Sequence, residues 1–216
     1  MNFTSEIEEL VYQEFLEIEH IDYQSKIRYY ERNKSEIFQL SFELSTEIRC
    51  ECVIAYFEVG SYYAYLNKVD DLIHLVISEN VFEVKDKNIF EELLFRKAAS
   101  AYNVVDYYKA EHIFSELIKI NPKNQIYKKA FAKCCIDKLR YEGQASRGLT
   151  VFLFILSAAV IAVELLSIRP FHDEYIRSFE IARNLIFSLA IFSLIFQEFK
   201  IRFLTNKRIS VLLNNN

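Results

Sequence analysis

Residues able to do chemistry are few in this chain and poorly grouped. The four cysteines stand as Cys50-x-Cys52 and Cys134-Cys135, whereas zinc sites use pairs separated by two to four residues. Adjacent helical side chains diverge by about 100°, so neither pair makes a good chelate, and reduced, buried cysteines are expected. His20, His74, His112 and His172 are dispersed, with no histidine or cysteine four positions on. Only Gly60, Gly143 and Gly148 occur, which excludes the glycine-rich phosphate loops and the nucleophile elbow. Carboxylate pairs such as Glu14 and Glu17 read as a solvated or partner-facing surface. The expectation is a protein without catalytic residues, metal or cofactor.

Two charges are placed more tellingly. Glu164 and Arg183 lie inside otherwise apolar stretches, and charged groups at membrane depth face protein or water and are functional candidates. If the two stretches form an antiparallel hairpin, both residues fall at similar depth. They then either pair with one another or reach separately toward the headgroups.

The stretches themselves are the clearest feature of the sequence. Leu149 to Ile168 holds 13 Leu, Ile, Val or Phe among 20 residues and one charge, Glu164. At about 1.5 Å per residue it covers the ~30 Å hydrocarbon core. At roughly −0.3 to −0.6 kcal/mol each, its apolar side chains outweigh about 3 kcal/mol for one carboxylate. The second stretch, Leu185 to Phe196, is too short alone. Extended to 181–199 it spans, with Arg183, Asn184, Gln197 and Glu198 at its ends, and a re-entrant or interfacial segment is the alternative. Ser157, Ala158 and Ala162 on the first span, and Ser188 and Ala190 on the second, are small enough to permit close helix approach, within one chain or between copies. Beyond Phe199 the pattern turns amphipathic and suits a helix leaving along the membrane surface. The Asn214-Asn215-Asn216 tail is expected to fray.

Charge fixes the expected orientation. Residues 1–146 hold 25 acidic and 18 basic side chains, and residues 147–216 hold 5 and 8. Lys133, Lys138, Arg140 and Arg147 precede the first span, and Lys200, Arg202, Lys207 and Arg208 follow the second. The loop Arg169 to Glu180 carries Arg169 and Arg177, with Arg183 at its edge. Eight against three puts both ends in the cytosol. The amino-terminal residues lack a basic, then apolar, secretory pattern, so residues 1–146 are expected to stay inside. The basic run that includes Lys128, Lys129, Lys133, Lys138, Arg140 and Arg147 reads as a collar for anionic lipid, as a solvated face, or as a nucleic-acid contact.

With two prolines and three glycines, turns are too scarce for sheets, so the rest is expected to be all-α. Ser5-x-x-Glu8 reads as a capping box, and Ser35 as the start of a long helix carrying Ile37, Leu40, Leu44, Ile48 and Cys52. Ala98, Tyr107, Ala110, Phe114, Leu117 and Pro122 have the small–aromatic–small–large–proline spacing of a helix–turn–helix repeat. Val59-x-x-Tyr62-Tyr63 with Asp71-Leu72-Ile73 recurs 45 residues later as Val104-x-x-Tyr107-Tyr108 with Glu116-Leu117-Ile118. Over Leu94–Pro122 the chain resembles the tetratricopeptide-repeat family, and Phe131-Ala132 sits where a next repeat would begin. The 45-residue interval exceeds the family's usual 34, and Val105 stands where glycine is common. The resemblance implies a short solenoid or helical bundle with a concave surface for protein partners and no chemistry of its own.

The expected organisation is a cytosolic helical domain over 1–142, a transmembrane hairpin over 147–204 with spans near 149–168 and 181–199, and a cytosolic tail over 205–216. This layout resembles the two-span effectors of bacterial anti-phage systems, including membrane proteins that accompany retron reverse transcriptases. The resemblance implies an inner-membrane effector that perturbs the bilayer when triggered, partnered by a reverse transcriptase with noncoding RNA, and able to self-associate through the hairpin. A membrane-tethered adaptor, its hairpin serving only as anchor, is the alternative.

Overall fold

The computed structural model describes residues 3–80, 83–84, 87–168 and 175–214. The fold is all-α, as composition requires. Its helices are α1 (Phe3–Leu16), α2 (Tyr23–Arg32), α3 (Lys34–Ile37), α4 (Phe42–Glu58), α5 (Tyr62–Ser78), α6 (Ile89–Asn103), α7 (Tyr107–Ile120), α8 (Gln125–Glu142), α9 (Gln144–Val163) and α10 (Ile176–Asn214). A two-residue antiparallel ladder, Glu83–Val84 against Lys87–Asn88, precedes α6. Two compact units, Met1–Phe131 and Ala132–Asn216, divide the chain inside α8.

Local chemistry explains several boundaries in the first unit. Asp22, Asn88 and Asp106 cap α2, α6 and α7, each side chain accepting from the backbone N–H three residues on, at 3.0, 3.0 and 3.1 Å. Two expected starts are corrected. Ser5 lies inside α1, with helical backbone, and so does not occupy a cap position. The long helix expected from Ser35 is broken: α3 ends at Ile37, and α4 starts after Ser41, whose φ of −51° and ψ of 150° are extended rather than helical. Ile37 and Leu40 are nevertheless buried with Ile48 and Cys52, because the turn between the helices folds them back onto α4.

Helix α4 is apolar on two sides. Ile48 and Cys52 join Phe15, Tyr29 and Tyr30 in one core. Cys50 and Val53 join Tyr65, Val69, Leu72, Val76 and Leu93 in the other. Burial pushes the Cys50 and Cys52 thiols up to about 12, and all four cysteines are free and buried. Maleimide labelling at neutral pH is therefore expected to find no reactive thiol on the native protein and four after denaturation. Rapid labelling of the folded chain would contradict this packing.

The sequence echo corresponds to two equivalent helical turns. Between α4 and α5 the Ser61 N–H reaches the Tyr56 carbonyl, and between α6 and α7 the Asp106 N–H reaches the Ala101 carbonyl, both at 2.9 Å. This is the bond that closes a helix through a residue in left-handed conformation. Gly60 takes that position at φ +76°, and Val105 takes it at φ +67°. A β-branched residue is strained there. Half-exposed Val105 gives up little packing, so Val105→Gly is expected to stabilise the protein by about 1 kcal/mol, or roughly 2–4 °C in melting temperature. A lower melting temperature would contradict the assigned turn.

Candidate functional site

In the second unit, α9 and α10 pack along one another, and two groups of polar side chains meet at the seam. Helix α9 passes into a π-helical turn at Glu164–Ile168. Glu164 at its start is buried, with a side chain 1% exposed, and accepts from Arg183 Nη1 at 2.9 Å. Arg183 also donates from Nε to Asn184 Oδ1 at 3.2 Å. The structure thus brings Glu164 and Arg183 together across the hairpin.

A second polar group lies toward the other end of the seam. Thr150 and Ser193 hydroxyls are 3.0 Å apart. Gln197 Nε2 lies 2.9 Å from Thr150 Oγ1, 3.1 Å from Ser193 Oγ and 3.1 Å from the Ser146 carbonyl. Phe154 and Phe187 meet edge to face between the two groups. Thr150, Ser193 and Gln197 were not singled out as partners by sequence reading. The signal was present in the positions 146, 150, 157 and 164, whose spacing of 4, 7 and 7 keeps them on one helix face.

Among the small residues, only Ser157 and Ala190 are buried, whereas Ala158, Ala162 and Ser188 are exposed, because the buried seam selects one face of each helix. Helix α10 runs unbroken for 39 residues, so the amphipathic stretch beyond Phe199 continues the same helix as the second apolar stretch. Its helical path also includes Asn214, while Asn215 and Asn216 lie outside the described residues. Lys138 is buried, and Arg140 is tied to Asp137 at 3.8 Å and Glu198 at 3.3 Å. These two therefore do not form part of a freely solvated basic face.

The remaining basic residues divide along the chain. Lys128 and Lys129 lie on the first-unit part of α8, half-buried and exposed respectively, and Lys133 is exposed on the second-unit part. Arg147, Lys200, Arg202 and Lys207 are exposed and Arg208 is half-buried; Arg202 approaches Glu198 at 3.5 Å. Of the expected outer loop, Arg169 and the rest of 169–174 lie outside the described residues, and Arg177 is exposed.

Both helices are long and apolar enough to cross a membrane, over Gln144–Ile168 and Ile176–Leu212. Only 11% and 6% of their most apolar windows are buried within the protein. Phe152, Ile155 and Leu166 on one, and Phe192, Ile195 and Phe199 on the other, are exposed. Exposed apolar surface of this extent marks a face for a membrane or for another protein.

The first unit places the repeat residues at the α6–α7 interface. Ala98 and Ala110 are fully buried, Phe114 is nearly so and meets Phe95 edge to face, and Tyr107 packs on Tyr102. Pro122 lies in the α7–α8 connection, where a missing N–H does not interrupt a helix. On another side, one face each of α2, α4 and α6 encloses a cleft of about 390 Å³. Lys26 pairs with Glu51 at 2.7 Å, and Arg96 bridges Glu58 at 2.6 Å and Glu92 at 2.8 Å. Glu47 accepts from the Tyr12 hydroxyl at 2.8 Å. No group of three or more His, Cys, Asp or Glu is arranged for a metal among the described residues.

These features define an all-helical protein with two candidate membrane-spanning helices near its carboxyl end. The chain matches no known protein family, curated protein or solved structure at a significant level.

Proposed function

We propose that the protein is a two-span inner-membrane effector of a bacterial anti-phage system of the retron type, which perturbs the bilayer when its helical domain is triggered. The observation that carries this reading is the hairpin itself: apolar side chains cover its outside, while a Glu–Arg pair and a Thr–Ser–Gln group occupy its seam. Polar groups kept between apolar helices are a means of holding a defined packing that a signal or self-association could rearrange. The excess of Lys and Arg outside the 169–180 loop supports cytosolic termini. A reverse transcriptase with its noncoding RNA is the partner that the layout suggests.

The two equivalent helical turns and the ionic cleft favour a second reading, a membrane-tethered adaptor with a tetratricopeptide-like domain. Induced expression in bacteria separates the two. An effector depolarises the membrane and stops growth, and Glu164→Leu or Arg183→Leu changes that response. Unchanged potential-sensitive dye fluorescence at high expression, with and without the cognate partner, would leave the adaptor reading in its place.

A further inference from the structure

Where the hairpin begins, a small cavity of about 190 Å³ lies between the α8–α9 junction and α10, wholly within the second unit. Leu139, Ile201 and Leu204 make its apolar wall, and Arg147 and Lys200 line it with positive charge. Gln197 sets their level by donating to the Ser146 carbonyl at 3.1 Å, with Arg147 next on one helix and Lys200 three residues on along the other. Both cations are exposed, and neither has a carboxylate partner among the described residues. Arg140 and Arg202 differ, each being tied to Glu198. Glu142, the carboxylate on the cavity wall, is already engaged with another group. Gly143 gives the first turn of α9 no side-chain cap, and the start of a helix favours an anion. The cations also stand where the apolar surface ends. Leu149, two residues after Arg147, and Phe199, one before Lys200, are 58% and 67% exposed.

We propose that this cavity holds the headgroup phosphate of an anionic phospholipid between Arg147 and Lys200. Its volume is below the ~300–1,000 Å³ of sites that enclose a whole ligand, which suits a headgroup whose acyl chains lie outside along the apolar helix faces. A phosphate oxygen accepts charge-assisted hydrogen bonds from both guanidinium and ammonium groups. In a bilayer that covers the two apolar stretches, both cations fall just beyond the hydrocarbon, at the depth of the lipid phosphates. A zwitterionic headgroup would bring its own cation toward them, whereas an anionic one does not. The inference rests on the reading that the hairpin crosses a membrane, and it adds a lipid ligand to that reading.

The test uses the full-length protein in a non-ionic detergent, with fluorescent phosphatidylglycerol and phosphatidylcholine as probes. Phosphatidylglycerol is expected to bind roughly twentyfold more tightly, with the preference shrinking as salt is raised. Arg147→Gln and Lys200→Gln are each expected to reduce that preference about fivefold, and the double variant to remove it. Lys200→Arg keeps the charge and is expected to keep the preference. Lys207→Gln removes an exposed cation of α10 outside the cavity and is expected to change the preference less than about twofold. Helical content and melting temperature check that each variant is folded. Equal binding of the two lipids overturns the proposal. So does a loss at Lys207→Gln equal to that at Lys200→Gln, which would spread the attraction over a diffuse basic collar. Displacement of the lipid by millimolar inorganic phosphate would assign the cavity to a free anion and overturns it as well. Fractionation tests the membrane reading separately. A chain recovered with membranes that shows no lipid preference sinks the cavity alone, whereas a freely soluble chain sinks both.

Discussion

Arg183→Leu is expected to destabilise the hairpin by about 2–4 kcal/mol, more than Glu164→Leu does. The asymmetry follows from burial: the Glu164 side chain is 1% exposed and that of Arg183 is 26% exposed. Removing the guanidinium takes away the cation facing a carboxylate that has no route to water. Removing the carboxylate leaves an arginine long enough to redirect its head toward the interface. A carboxylate near the middle of a membrane helix costs about 2.5–3.5 kcal/mol, which sets the scale. The double substitution to leucine should recover most of the loss, because two apolar side chains carry no desolvation penalty. Thermal unfolding of the four proteins in one detergent gives the cycle directly. Equal effects of the two single changes, or a double variant worse than their sum, would show that the pair is not coupled as the 2.9 Å contact requires.

That pair was legible in the sequence because an antiparallel hairpin relates depth on one helix to depth on the other. The apolar stretches were legible for a simpler reason, since the run from Leu149 to Ile168 is long enough to cross the hydrocarbon core and carries a single charge. Other features depended on tertiary choice. Ala158 and Ser157 are adjacent small residues, yet one is exposed and the other buried; size alone does not tell which face meets α10. The break at Phe38–Ser41 was hidden because Ile37, Leu40, Leu44 and Ile48 keep helical spacing across it. The turn folds them into the same core, so periodicity survives the loss of the helix. The cleft was equally hidden: Glu47, Glu51 and Glu58 share one face of α4 and read as a solvated stripe until α2 and α6 are placed beside them. Val105 shows the converse, where the chain keeps a left-handed turn despite a residue that disfavors it. There the flanking helices determine the backbone, and sequence preference at one position does not.

Tyr65→Ala is expected to cost about 3–5 kcal/mol, the range for truncating a large buried aromatic side chain. Tyr65 on α5 has no exposed surface. Its ring meets Phe57 of α4 edge to face at 5.8 Å, and its hydroxyl donates to the Leu93 carbonyl of α6 at 2.9 Å. Burial pushes its phenol well above the usual tyrosine range, so it stays neutral and a donor at any ordinary pH. One side chain thus joins both helices of the first repeated hairpin to the first helix of the second. Tyr65→Phe keeps the ring and loses only the hydrogen bond, a change of about 1 kcal/mol. Tyr63, two positions earlier and 71% exposed, should tolerate alanine within about 0.5 kcal/mol. Urea unfolding of the full-length protein followed by helical signal would rank the three. If Tyr63→Ala matched Tyr65→Ala, α5 would be presenting a different face to α4 and α6. In that event the hairpin alignment that shapes the cleft would be wrong as well.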